Sequence, residues 1–64
     1  MDNTEIRQLI ARFEDFILER DLTLHQTAVF LKMSHSAIAG ILNGKISRPH
    51  SRTLYKIKKF IGEQ

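Results

Sequence analysis

The sequence contains no cysteine, no tryptophan and only one proline. Without cysteine, the chain forms neither disulfides nor thiolate metal sites. Its apolar runs are far shorter than the roughly 20 residues that span a bilayer. The N-terminal segment MDNTEIRQ is acidic and polar, whereas a signal peptide is basic and then apolar. We therefore expect neither export nor membrane insertion, and we expect a protein of the cytoplasm.

Patterns typical of catalysis and of metal binding are also missing. The histidines His25, His35 and His50 have no zinc-type spacing with other ligands. No glycine motif that cradles phosphates is present. Ser34, His35 and Ser36 are adjacent, but a catalytic triad needs convergent geometry and a buried acid. We expect no enzymatic activity, no cofactor and no metal.

The chain does have an uneven distribution of charge. Its 10 Lys and Arg against 7 Asp and Glu give a net charge of +3. Six of the seven acids precede residue 22, and seven of the ten bases follow it. The later part is therefore a basic surface suited to phosphates, although a solvated surface of uneven charge would give the same count.

Apolar spacing predicts a long first helix over residues 4–20. Asp2 is its expected N-cap, with Glu5 as the second half of a capping box. Its apolar stripe includes three consecutive residues, Phe16-Ile17-Leu18, and is wider than one core face needs. This surplus indicates either an ordinary core with one half-exposed residue or part of a dimer contact.

Three shorter helices are expected in the rest of the chain. Thr23 and Ser34 are favourable N-caps, which predict helices over residues 24–31 and 35–43. A last helix is expected over residues 51–61, because apolar residues there recur at helical spacing. Sixty-four residues make one small domain. We thus expect a single all-α domain of four to five helices.

The expected third helix has two different faces. Its apolar residues fall on one side, and small or polar residues fall on the other, namely His35, Ser36, Ala39, Gly40 and Asn43. A glycine inside a helix costs roughly 1 kcal/mol relative to alanine. Its presence indicates close approach of another surface, and the major groove of DNA accepts a helix with small side chains. Packing against a neighbouring helix, or simple tolerance, would also explain the glycine.

A compound pattern extends over residues 22–62, about two thirds of the chain. It reads LT-x4-A-x2-L-x-M-S-x-S-x-I-x2-I-L-N-G-K-x3-P-x3-T-L-x-K-I-x2-F-I-G. This pattern resembles the helix-turn-helix domain of the phage repressor and Cro family. The resemblance implies a helix-turn-helix bundle in a repressor-like transcriptional regulator that binds double-stranded DNA, with helix 35–43 in the major groove.

The resemblance also implies two sets of contact residues. Bases would be contacted by His35, Ser36, Ala39 and Gly40. Phosphates would be contacted by Thr23, His25, Gln26, Asn43, Lys45, Arg48, His50 and Arg52. A two-fold operator would normally require a homodimer.

Several positions depart from the family pattern. Lys32 stands where relatives usually have a left-handed glycine, at a cost of about 1 kcal/mol. Thr27 replaces a usual core leucine, and Leu24 replaces a phosphate-binding glutamine. Val29 and Phe30 occupy commonly polar positions, which favours a rearranged core. The alternative is a protein-interaction module that docks a partner through Leu24, Val29 and Phe30.

Overall fold

The computed structural model describes residues 2–62, which form four helices and no strand. The helices are α1 (Asn3–Glu19), α2 (Leu24–Leu31), α3 (His35–Leu42) and α4 (Ser51–Phe60). The expected all-α class is confirmed, and the helix ends differ from the expected ones by at most one residue. No helix within residues 2–62 has both the length and the apolar character needed to cross a membrane.

One apolar core joins the four helices. The side chains of Phe13, Leu9, Ile38 and Ile57 are fully buried in it. Burial of a large apolar side chain contributes roughly 1.5–3 kcal/mol. The other core residues are Ile6, Ile17, Ala28, Leu31, Ile41 and Leu54. α1 supplies four of the ten and packs on α3 and α4, whereas α2 packs on α3 and α4.

Side-chain caps fix where the first three helices begin. The Asp2 carboxylate accepts a hydrogen bond of 2.8 Å from the Glu5 N–H. The Ser34 hydroxyl accepts one of 3.1 Å from the Ala37 N–H at the start of α3. His50 is the N-cap residue of α4 but makes no side-chain capping bond. Its imidazole therefore takes no part in the cap.

Two helices end in left-handed residues that are not glycine. Asp21 follows α1 with φ 54°, and Lys32 follows α2 with φ 55°. The Leu22 N–H donates to the Ile17 carbonyl and the Met33 N–H to the Ala28 carbonyl, both at 3.0 Å. These bonds are typical of the Schellman motif. The backbone at Lys32 is therefore left-handed, as expected from the glycine of the family pattern.

The outer face of α2 keeps its apolar residues in solvent. Val29 is 63% exposed and Phe30 is 67% exposed, so the expected rearrangement of the core is wrong. Thr27 is fully buried instead, and its hydroxyl donates to the Thr23 carbonyl at 3.0 Å. That bond satisfies the buried hydroxyl, which is why threonine can occupy the core position.

Candidate nucleic-acid interface

The first turn of α3 presents polar side chains to solvent. His35 and Ser36 are both exposed, whereas Ser34 directs its hydroxyl at the helix as a cap. Ala39, one turn later, is half-buried. The start of α3 therefore offers an imidazole and a hydroxyl, both of which can hydrogen-bond to a base edge or a phosphate.

Gly40 is not part of this exposed surface. It is buried, and a Cβ built on it would lie 2.9 Å from Cδ1 and 3.1 Å from Cγ1 of Ile46. The Ile46 N–H also donates to the Gly40 carbonyl at 3.0 Å. The expected base contact of Gly40 is therefore wrong, because the loop after α3 covers it. The close approach that the glycine permits is that of Ile46.

The loop between α3 and α4 and the first turn of α4 carry four exposed groups suited to phosphates. They are Lys45, Arg48, His50 and Arg52. Ile46, 37% exposed, rests on Gly40, and Pro49 is buried. The loop is thus attached to the protein at two points, and its cationic groups lie between and beside them. This basic loop is held directly against α3 by the Ile46–Gly40 contact.

Asn43 is exposed at the end of α3, as a phosphate contact requires. Its side-chain oxygen accepts a hydrogen bond of 2.9 Å from the Lys45 N–H. Gly44, between them, has φ 87°, which an L-residue rarely adopts. Any contact of Asn43 with a phosphate would therefore come from its NH2 group.

The first turn of α2 is closed by a capping box. The Thr23 hydroxyl accepts a hydrogen bond of 3.0 Å from the backbone N–H of Gln26. The side-chain oxygen Oε1 of Gln26 accepts one of 2.9 Å from the backbone N–H of Thr23. These side-chain oxygens are engaged with the helix, which leaves the Gln26 NH2 group as a donor. Helix geometry also leaves the N–H groups of Leu24 and His25 without intrahelical acceptors. They are the donors that an anion would meet here.

The expected phosphate-contacting residues thus lie in two segments, which are attached to the rest of the fold in different ways. The basic loop is attached to the surface of α3, and the first turn of α2 is joined to it only through the packing of α2 on α3. Ile46, which holds the loop on α3, was not among the predicted site residues. The signal for this contact was an isolated apolar residue in a polar loop that follows a helical glycine.

Comparisons with protein-family models, with curated proteins and with solved structures find no match to this chain. Residues 2–62 contain no group of three or more side chains arranged to hold a metal ion.

Proposed function

We propose that the protein is a transcriptional regulator that binds double-stranded DNA sequence-specifically in the cytoplasm, with α2 and α3 as its helix-turn-helix. The observation that carries the proposal is the exposed His35-Ser36 pair at the start of α3, together with a basic loop attached to the same helix at Gly40. In this arrangement α3 enters the major groove while the loop grips the backbone on one side.

The two kinds of side chain have different roles. His35 donates to guanine or to a phosphate, and the Ser36 hydroxyl hydrogen-bonds to a base edge. Ala39 is half-buried one turn later, where its methyl group can contact the methyl of thymine. Arg48 and Arg52 contact phosphates, which fixes the register of the helix without reading sequence.

The start of α2 supplies a second backbone contact. The N–H groups of Leu24 and His25 and the positive end of the helix dipole favour a phosphate there. His25 is exposed beside them and adds a further donor. The capping box keeps this turn in place before DNA arrives, so less conformational entropy is lost on binding.

A second candidate function is that of a protein-interaction module. The observation in its favour is the exposure of Val29 and Phe30 on α2. This surface and the start of α3 use different residues. Partner binding and DNA binding are therefore compatible in one molecule.

The direct test is selection of binding sites from random duplex DNA, followed by a salt titration on the selected sequence. With six phosphates neutralised, log K should fall against log salt with a slope of about −5. A palindromic site would indicate a homodimer on a two-fold operator. Failure to enrich any sequence, or an affinity that does not depend on salt, would contradict the proposal.

A further inference from the structure

An aromatic hollow of about 350 Å³ lies between α2 and α4. Phe30, Tyr55 and Phe60 line it, and Phe30 and Tyr55 are 67% and 60% exposed. The rings of Phe30 and Phe60 have centroids 5.9 Å apart, and Phe60 also contacts Phe13 at 5.8 Å. Because Phe13 is fully buried, Phe60 packs on the core and connects this aromatic groove to it.

The rim of the aromatic groove is basic. Lys32, Lys56 and Lys59 line it, and no acidic residue of the described chain does. The Lys59 ammonium lies 5.7 Å from the centroid of the Tyr55 ring. An apolar side chain surrounded by carboxylates would therefore suit the groove, since apolar burial and charge attraction would act together.

The same chain carries such a side chain. Leu18 is 70% exposed on α1. Glu14 and Asp15 lie one helical turn before it, and Asp21 lies three residues after it, just beyond the end of α1; all three are exposed. We call Leu18 with these three carboxylates the acidic knob.

The knob and the groove cannot meet within one molecule. Phe16 packs against Phe60, with ring centroids 5.0 Å apart, so this side of α1 faces the groove. Leu18 is two residues further on, which rotates it about 200° around the helix at about 3.6 residues per turn. Leu18 therefore points away from the groove of its own chain.

We propose that the protein self-associates head to tail, with Leu18 of one copy in the aromatic groove of the next. A knob and a pocket on different sides of one molecule make a heterologous contact, which joins successive copies into a ring or an open filament instead of a two-fold dimer. Charge favours this arrangement over a two-fold one. A two-fold contact of knobs would bring Glu14 against Glu14, and a two-fold contact of grooves would bring lysines together, whereas the proposed contact pairs opposite signs.

The contact does not depend on the proposed DNA binding. Phe30 lies in the last turn of α2, and Phe60 is the last residue of α4. The residues assigned to DNA lie in the first turn of α2, on α3 and at its C-terminal end, in the basic loop and in the first turn of α4. Self-association is therefore measurable on the protein alone, and its failure would leave the DNA-binding proposal untouched.

The test is sedimentation velocity on the wild type, on Leu18→Ser, on Phe30→Ser and on an equimolar mixture of the two variants. The wild type should form a series of species that grows with concentration. Each variant alone should sediment as a 7.4 kDa monomer. The mixture should form a 1:1 dimer and nothing larger, because only one intact knob and one intact groove can pair.

Two further variants separate this contact from other effects. Val29→Ser is the matched control, since Val29 is 63% exposed beside Phe30 but does not line the groove. It should assemble like the wild type. Lys59→Glu leaves the rings in place and should weaken assembly about tenfold at low salt, an effect that high salt should reduce. The Lys59→Glu variant still tests the contact if Phe30→Ser disturbs the packing of Phe60. Circular dichroism checks that each variant is folded.

Three results would overturn the proposal. The first is a wild type that stays monomeric up to about 1 mM, which would mean a dissociation constant above about 1 mM. The groove would then be open to an acidic segment of another protein. The second is a folded Phe30→Ser variant that still assembles alone. The third is a mixture that forms no heterodimer.

Discussion

Two exposed surfaces of this protein carry lysine and arginine, yet they suit different partners. One surface comprises the exposed polar side chains His35 and Ser36 at the start of α3 and the cationic groups of the basic loop attached to the same helix. In the aromatic groove, the lysines surround the rings of Phe30 and Tyr55. Positive charge alone therefore does not identify a partner. The side chains between the charges decide whether a base edge or an apolar side chain fits.

The largest expected effect separates the two surfaces directly. Ser36→Glu places a carboxylate where α3 would meet the negatively charged DNA, and should weaken binding to the selected duplex at least about 100-fold. Phe30→Ser should change the same affinity less than about twofold. Fluorescence anisotropy measures both. Gln8→Glu, exposed on α1, adds the same charge and serves as the control. Unchanged affinity in Ser36→Glu would rule out entry of α3 into the groove.

Substitution of single cationic residues tests which of the two surfaces binds DNA. Arg48→Ala or Arg52→Ala should weaken DNA binding by about 1 kcal/mol on any sequence and should reduce the salt slope by about 1. Lys59→Ala, at the rim of the aromatic groove, should leave the slope unchanged. Salt titrations of the three variants test this pair of expectations. A loss of slope in Lys59→Ala would mean that DNA also reaches the groove.

The support of the basic loop is testable through stability. In an Ile46→Ala background, Gly40→Ala should raise the free energy of unfolding by about 1 kcal/mol, because alanine favours the helix. In the wild type this gain should be smaller, since the new methyl group meets Ile46 at 2.9 Å. Urea unfolding of the four proteins of this double-mutant cycle gives the coupling. Equal gains in both backgrounds would mean that Ile46 moves aside without cost.

The smallest expected effects concern the left-handed turns. Asp21→Gly and Lys32→Gly should each stabilise the fold by about 0.5–1 kcal/mol, because glycine adopts positive φ without steric strain. Arg20→Gly is the comparison, because Arg20 has φ −97° and its guanidinium lies 3.7 Å from the centroid of the Phe16 ring, so this variant should lose stability. Lys32→Gly also removes a rim cation and Asp21→Gly removes a carboxylate of the acidic knob, so each should slightly weaken self-association. Urea unfolding checks the stabilities, and an equal gain in Arg20→Gly would show that strain is not the cause.

The helices could be predicted closely because their signals are local. Caps such as Thr23 and Ser34 act within three residues, and helical spacing repeats within one element. The exposed pair His35-Ser36 was likewise predicted from its place on the wheel. Gly40 was not, because periodicity assigns a residue to a face but does not tell what covers that face. Ile46 covers it from a loop whose path no local rule specifies.

The aromatic groove had even less local signal. It depends on contacts among Phe16, Phe30 and Phe60, which lie on three helices and far apart in sequence. The family resemblance favoured a rearranged core for α2, and this expectation was wrong. Thr27 fits the core because its hydroxyl bonds to a carbonyl of its own helix. Thr27 thus fills the core position, and Phe30 lies outside the core, where it lines the groove.

The hydrogen bond from Ile46 to Gly40 has a consequence for changes in chain length. It closes a ring of backbone between the end of α3 and the start of the basic loop. One residue inserted between Gly44 and Ile46 would break that ring and shift every later cation relative to the start of α3. One inserted between Ile46 and Pro49 would leave the ring intact. Length variation is therefore expected after Ile46 and not before it. The Ile46–Gly40 hydrogen bond thus sets the distance between the start of α3 and the basic loop.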